Sequence, residues 1–323
     1  MYQDTNMNSD EFMQKDILIR SARYRMVSEV ESILKEKFVD INYQDETGNT
    51  ALHYAAEFDC IEILNLLLEH KAKVDILNNQ EMNALQVAVL KGKVPIYKKL
   101  KEFTKDQDIK CKSNNTLLHL AVKGQNLELV EEHINDSNLY SSNIKDELPL
   151  HCAVKRQSSQ IVELLVEKMA NLNDPRNSKI FEEAAMMMLE KRQINHWFSL
   201  KPHLNLEERA TDFFWTAIES NSGVVFNHVC KETLTFCKDK LQDWEVYKEA
   251  IELPNWFICS ALIDAGFNIH ATDERKNTPL HYAAHSKRSD IYSLLIEHGA
   301  DENALNSDSK SPRDIRNERG NIL

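Results

Sequence analysis

Glycine and proline are scarce, at seven of each in 323 residues. No Ser-, Gly- or Pro-rich run interrupts the chain, so no flexible linker between separate globular parts is expected. Positive charge is in deficit: 39 Lys and Arg against 51 Asp and Glu give a net charge of −12. That balance argues against nucleic acid or an anionic membrane as a whole-surface partner, yet leaves room for a local basic patch. No apolar run approaches the ~20 residues of a membrane span. The opening stretch, MYQDTNMNSDEFMQKD, is polar and acidic and is not read as a signal peptide. The closing GNIL holds no cysteine for prenylation. Cysteines at 60, 111, 152, 230, 237 and 259 form no C-x-x-C pair, so reduced thiols in a cytosolic protein are expected. The signatures G-x-x-x-x-G-K-[ST], G-x-G-x-x-G, G-x-S-x-G and H-E-x-x-H are missing as well.

What the chain does have is a ladder of alanines. Ala22, Ala55, Ala88 and Ala121 stand 33 residues apart. Ala153 follows after 32, Ala184 after 31, and Ala217, Ala250 and Ala283 resume the 33-residue step. An apolar residue precedes each rung by three: Ile19, Leu52, Leu85, Leu118, Leu150, Phe181, Phe214, Tyr247 and Leu280. A spacing of three puts both on one helical face. A fixed period of this size marks a repeat array in which each unit stacks on its neighbours.

Four rungs sit in a shared motif: Thr278-Pro279-Leu280-His281-Tyr282-Ala283-Ala284, Thr50 to Ala56, Thr116 to Ala121, and Leu148 to Ala153. These segments resemble the ankyrin-repeat family, whose signature is T-P-L-H-x-A-A. Ile61 to Leu68 and Ile161 to Leu165 resemble that family's second helix, and His298-Gly299-Ala300-Asp301 its following turn. The Thr begins the first helix, where its hydroxyl can accept exposed backbone amides. Pro149 and Pro279 fall at the first helical position, where a missing amide costs nothing. Gly266 and Gly299 supply the left-handed residue that ends the second helix.

The resemblance implies an all-α solenoid of about nine helix-pair units, with short β-hairpin-type loops and a C-terminal cap. The expected division is an N-terminal capping unit over 1–40, consensus-like repeats over 41–173, degenerate repeats over 174–265, and a consensus-like repeat with cap over 266–323. Arg20, Arg23, Arg25 and Lys35 make the first unit polar, as an unstacked end requires. Asn173-Asp174-Pro175-Arg176-Asn177-Ser178 reads as a turn-rich stretch beside the shortened steps. The degenerate section carries all four tryptophans, 197, 215, 244 and 256, with Phe198, Phe213, Phe214, Phe226 and Phe257. A second binding surface is one reading; a core repacked with large side chains is the favoured one.

His53, His119, His151 and His281 recur one per repeat and are read as structural, bridging adjacent loops as the resemblance implies. Gln86 fills the same place. His281 and His285 are four apart on one helix but have no evident third metal ligand. His151 and Cys152 are adjacent, point in different directions, and so make no nucleophile–base pair. No catalysis, metal or cofactor is expected.

The resemblance places partner binding on hairpin tips and on residues two and three places beyond each alanine. That offset selects Tyr24 and Arg25, Glu57 and Phe58, Leu90 and Lys91, Lys123 and Gly124, and Lys155 and Arg156. Farther on it selects Met186 and Met187, Glu219 and Ser220, Glu252 and Leu253, and His285 and Ser286. Aromatic anchors at one end and a run of Lys and Arg after them fit a protein partner with an apolar and an acidic segment. The function expected is protein recognition by a monomer in the cytoplasm. The Lys-, Asn-, Glu- and Ile-rich composition and eroded repeats resemble ankyrin proteins that intracellular bacteria secrete into host cells. Two other classes stay open: an enzyme with its catalytic segment in 174–265, and an intracellular scaffold or regulatory subunit.

Overall fold

The computed structural model describes residues 17–36, 39–104, 110–233, 236, 243–253, 255–286 and 288–320, without the side chains of 230–232, 244, 319 and 320. The opening acidic stretch, Cys237 and the last three residues lie outside them. The described residues are helices joined by turns, with no β-strand among them. None of these helices is long and apolar enough to cross a membrane. The chain divides into two compact units, 1–174 and 175–323.

The first unit holds α1 (17–23), α2 (Val27–Leu34), α3 (Ala51–Glu57), α4 (Ile61–Glu69), α5 (Ala84–Leu90), α6 (Val94–Lys101), α7 (Leu117–Lys123), α8 (Leu127–His133), α9 (Pro149–Arg156) and α10 (Ser159–Asn171). Odd-numbered helices are the first helices of the repeats: α3 packs on α5, α5 on α7 and α7 on α9. Second helices form the other layer, with α4 on α6 and α8 on α10. The rungs occupy the seam between first helices. Ala22, Ala55, Ala88, Ala121 and Ala153 are all 0 % exposed, and a methyl is the largest group that so close an approach admits.

The second unit runs through α11 (Arg176–Glu190), α12 (Trp197–Leu200), α13 (Leu206–Glu219), α14 (Gly223–Thr233), α15 (Trp244–Glu252), α16 (Trp256–Asp264), α17 (Pro279–His285), α18 (Ser289–Glu297) and α19 (Pro312–Gly320). One-turn 3-10 segments, Ile194–His196 and Lys201–His203, flank α12. Phe181 and Ala184, Phe214 and Ala217, and Tyr247 and Ala250 are buried, so these positions stay in the core where the Thr-x-x-His motif is gone. In the 173–178 stretch the structure departs from the turn-rich expectation. Only 173–175 turn, and Arg176, Asn177 and Ser178 form the first turn of α11. Pro175 caps that helix at φ −61°, an angle already suited to helical entry.

The scarcity of glycine has a cost in this fold. Helix ends and hairpin tips demand left-handed residues, and among the described residues thirteen that are not glycine adopt positive φ, including Asp59, Gln125 and Gln157 after the first helices and Lys71 after a second helix. Gly266 and Gly299 do take that conformation, at φ 92° and 93°.

Candidate functional site

His53, His119 and His281 tie neighbouring loops together. At His53, Nδ1 accepts the amide of Thr50 at 3.1 Å, and the Thr50 hydroxyl lies 2.9 Å from the same atom. An Nδ1 acceptor places the ring proton on Nε2, which donates to the carbonyl of Met82 in the next loop at 3.0 Å. His119 repeats this between the Thr116 amide, 3.3 Å, and the Glu147 carbonyl, 3.0 Å. His281 does so between the Thr278 amide, 3.0 Å, and the Lys310 carbonyl, 3.2 Å. His151 accepts the Leu148 amide at 3.3 Å. Burial holds the pKa values of His53, His119 and His281 below the usual imidazole value. Gln86 makes the equivalent cap, its Oε1 accepting the Asn83 amide at 3.0 Å.

The hairpin tips are built from aspartate and asparagine. Asp45 accepts the amides of Thr47 and Asn49, 2.9 and 3.0 Å, and the Tyr54 hydroxyl at 2.6 Å. Asp273 does the same with Arg275, Asn277 and the Tyr282 hydroxyl. Tips are joined by single backbone bonds, such as Asn79 amide to Thr47 carbonyl, and by amide pairs, such as Asn78 Nδ2 to Asn49 Oδ1 at 2.8 Å.

The residues of the first unit selected by the offset lie at the ends of the first helices, whereas Ser220 in the second unit is buried. Tyr24 is 66 % exposed, Phe58 is exposed and Leu90 is half-buried. The Phe58 ring stacks beside Tyr54 at 6.2 Å, and the Arg23 guanidinium lies 5.6 Å over the Tyr54 ring. Arg25 is exposed and holds a left-handed conformation at φ 61°. Tyr24 and Phe58 are thus open to solvent, and Leu90 less so.

The basic run is organised differently from its sequence impression. Lys91 pairs with Glu57 at 2.7 Å, which spends its charge on the preceding repeat. Lys155 pairs with Glu147. Burial would raise the Glu147 carboxyl, but bonds from Lys155 and Asn143 outweigh it and hold the pKa down at about 2. Lys123 donates to the neutral Asn115 side chain at 2.7 Å and keeps its charge available. The Arg156 carbonyl accepts from Gln125 at 3.1 Å, while its exposed guanidinium has no ion pair among the described residues. Uncompensated charge thus rests on Arg25, Lys123 and Arg156.

Two hollows in the second unit were not foreseen. One, of about 870 Å³, is lined by Glu245, Lys248, Asp273, Tyr282, His285 and Lys310 among others. Another, of about 330 Å³, holds Met186 and Met187 between Glu182, Glu190 and Arg209. Met186, Met187 and His285 carry the offset that marks them in the sequence; the hollows need the hairpin tips around them, which no spacing reveals. His281 and His285 do not converge on a metal site: among the described residues no group of three or more His, Cys, Asp or Glu could hold an ion. Cys152 is buried, and its thiol is pushed up to about 11, chiefly by burial, the opposite of an activated nucleophile.

Family models for ankyrin repeats match residues 3–78, 85–176 and 262–315, which leaves 177–261 between them. The chain is 28 % identical over 172 residues to the chicken nuclear factor NF-kappa-B p105 subunit, across 50 % of this chain and 17 % of that protein. It is 31 % identical over 136 residues to a fowlpox virus ankyrin repeat protein, FPV115, across 42 % of this chain and 24 % of that one. A second fowlpox protein, FPV022, is 25 % identical over 258 residues, across 78 % of this chain and 38 % of its own length. The chain thus spans well under half the length of these relatives.

Proposed function

Because this chain belongs to the ankyrin-repeat family, we propose that it is a protein-interaction module whose partner lies across the exposed ends of α1, α3, α5, α7 and α9. The observation that carries this is the exposure of Tyr24 and Phe58 on consecutive first helices beside Arg23 and Arg25. Rigid aromatic rings beside guanidinium groups are the side chains that dominate binding energy at protein interfaces. Acidic residues of the partner would meet Arg25, Lys123 and Arg156, while Lys91 and Lys155 remain with Glu57 and Glu147. The reading has no catalytic step. The expectation of a secreted effector is carried with it as a proposal, tested by translocation into a host cell.

The test compares proteins captured by the wild-type chain with those captured by Tyr24→Ala/Phe58→Ala and by Lys123→Glu. A partner held by the wild type should be lost at least tenfold in the aromatic variant and weakened by the charge reversal. Equal capture by all three would refute this surface. Lys155→Glu is less informative, because it also strips Glu147 of its partner and disturbs the loop that receives His119.

A further inference from the structure

The described large side chains of the degenerate section include a buried set and an exposed set, with Trp215 half-buried between them. Trp197, Phe213, Phe214 and Phe226 are buried, as a repacked core requires. Phe198, Val224, Trp256 and Phe257 are 60 %, 58 %, 49 % and 41 % exposed. The second set is contiguous. The Phe198 ring meets His228 edge-on at 5.8 Å, and His228 Nδ1 donates to the Val224 carbonyl at 2.8 Å. Phe257 lies against Gly223, so closely that a Cβ added there would stand 2.5 Å from its ring. Trp256 meets Phe257 at 6.1 Å, and Asn255 Nδ2 donates to the Asn221 carbonyl at 3.4 Å, joining the two turns.

The repeat register shows how unusual this is. Val224 and Phe257 occupy the place in the second helix held by Glu62, Glu128, Gln160 and Asp290 in other repeats. In those four repeats that place is polar, as a solvated first turn favours, and in α6 it holds Pro95. Here two successive repeats put apolar groups in it and hold one of them on a glycine. A ring so fixed loses little freedom on binding. Glu219 and Glu252 end the helices that lead into these turns; both are exposed, and neither has an ion pair among the described residues.

We propose that Phe198, Val224, Trp256 and Phe257 form a docking face, distinct from the ends of α1, α3, α5, α7 and α9, for a protein segment carrying an apolar anchor and a flanking lysine or arginine. The apolar anchor covers the rings, and the cation meets Glu219 and Glu252. Four side chains about half exposed present roughly 400 Å², against the ~800 Å² per partner of a standard interface. The patch is therefore of the size for a short segment and too small to hold a second copy of this chain by itself.

The test selects phage-displayed random peptides on the full chain and measures a synthetic peptide of the enriched sequence by titration. The expected sequence joins Leu or an aromatic residue to Lys or Arg. Its affinity should fall at least tenfold for Phe198→Ser/Trp256→Ser, fall measurably for Glu252→Lys, and be unchanged for Tyr24→Ala/Phe58→Ala, which fails only if the first-helix surface is the site. All are surface positions, and an unchanged melting curve for each variant, the Phe198→Ser/Trp256→Ser double variant included, certifies the fold. Peptides that ignore both ring and Glu252 substitutions, or that are acidic, overturn the proposal. So does a dimer in sedimentation equilibrium, or binding to phosphatidylserine vesicles, that the double variant abolishes.

Discussion

Replacing His53 by Leu removes an acceptor and a donor at once while keeping an apolar side chain of similar bulk. The Thr50 amide, 3.1 Å from Nδ1, and the Met82 carbonyl, 3.0 Å from Nε2, both lose their partner. Thr50 and His53 are buried, so water does not replace the first bond. A buried polar group left unsatisfied costs about 1–3 kcal/mol. Met82 is half-buried and its carbonyl can be rehydrated, which sets the expected loss near 3 kcal/mol rather than the sum of two full penalties. The protein supplies its own control. Gln86 makes the equivalent cap to Asn83 one repeat later, so His53→Gln should cost about 1 kcal/mol or less. Urea unfolding followed by far-ultraviolet circular dichroism measures both. A Leu variant within about 0.5 kcal/mol of the Gln variant would refute the loop-bridging role, since side-chain volume alone would then explain the position.

The same imidazoles make stability depend on pH. Burial holds the folded-state pKa values of His53, His119 and His281 below their unfolded values, so as pH falls the unfolded chain takes up protons first. Their contribution is full above about pH 6.5 and is lost below it at up to ~1.4 kcal/mol per pH unit for each histidine, until the folded value is reached. A flat profile between about pH 7 and pH 5 contradicts this, and His53→Gln should flatten it in part. Ala217→Leu should destabilise by about 1–3 kcal/mol, as Ala88→Leu should, because both rungs are 0 % exposed; a silent Ala217→Leu in thermal melts would remove the degenerate section from the repeat register. Lys71 is exposed at φ 64° in the register of Gly299, so Lys71→Gly should raise stability by about 0.5–1 kcal/mol in urea titration.

The repeat register was legible in the sequence because the first helices of the first unit pack each on the next. A period in sequence therefore becomes a seam in space there, and in the second unit Ala184, Ala217 and Ala250 are buried with no Thr-x-x-His motif beside them. The histidine bridges were legible for the same reason, since His53 reaches no farther than Met82, one loop on. Charge compensation was not. Lys91 and Lys155 read as part of a basic stripe until Glu57 and Glu147 are seen to hold them, and those contacts depend on side chains crossing between elements. Nor was the sorting of aromatic residues legible: Trp197 and Phe198 are neighbours in sequence, yet one is core and the other surface. Composition sets how much apolar area the degenerate section must place. Only the packing of α12, α14 and α16 decides which rings are covered, because burial belongs to what stands opposite a side chain rather than to the side chain itself.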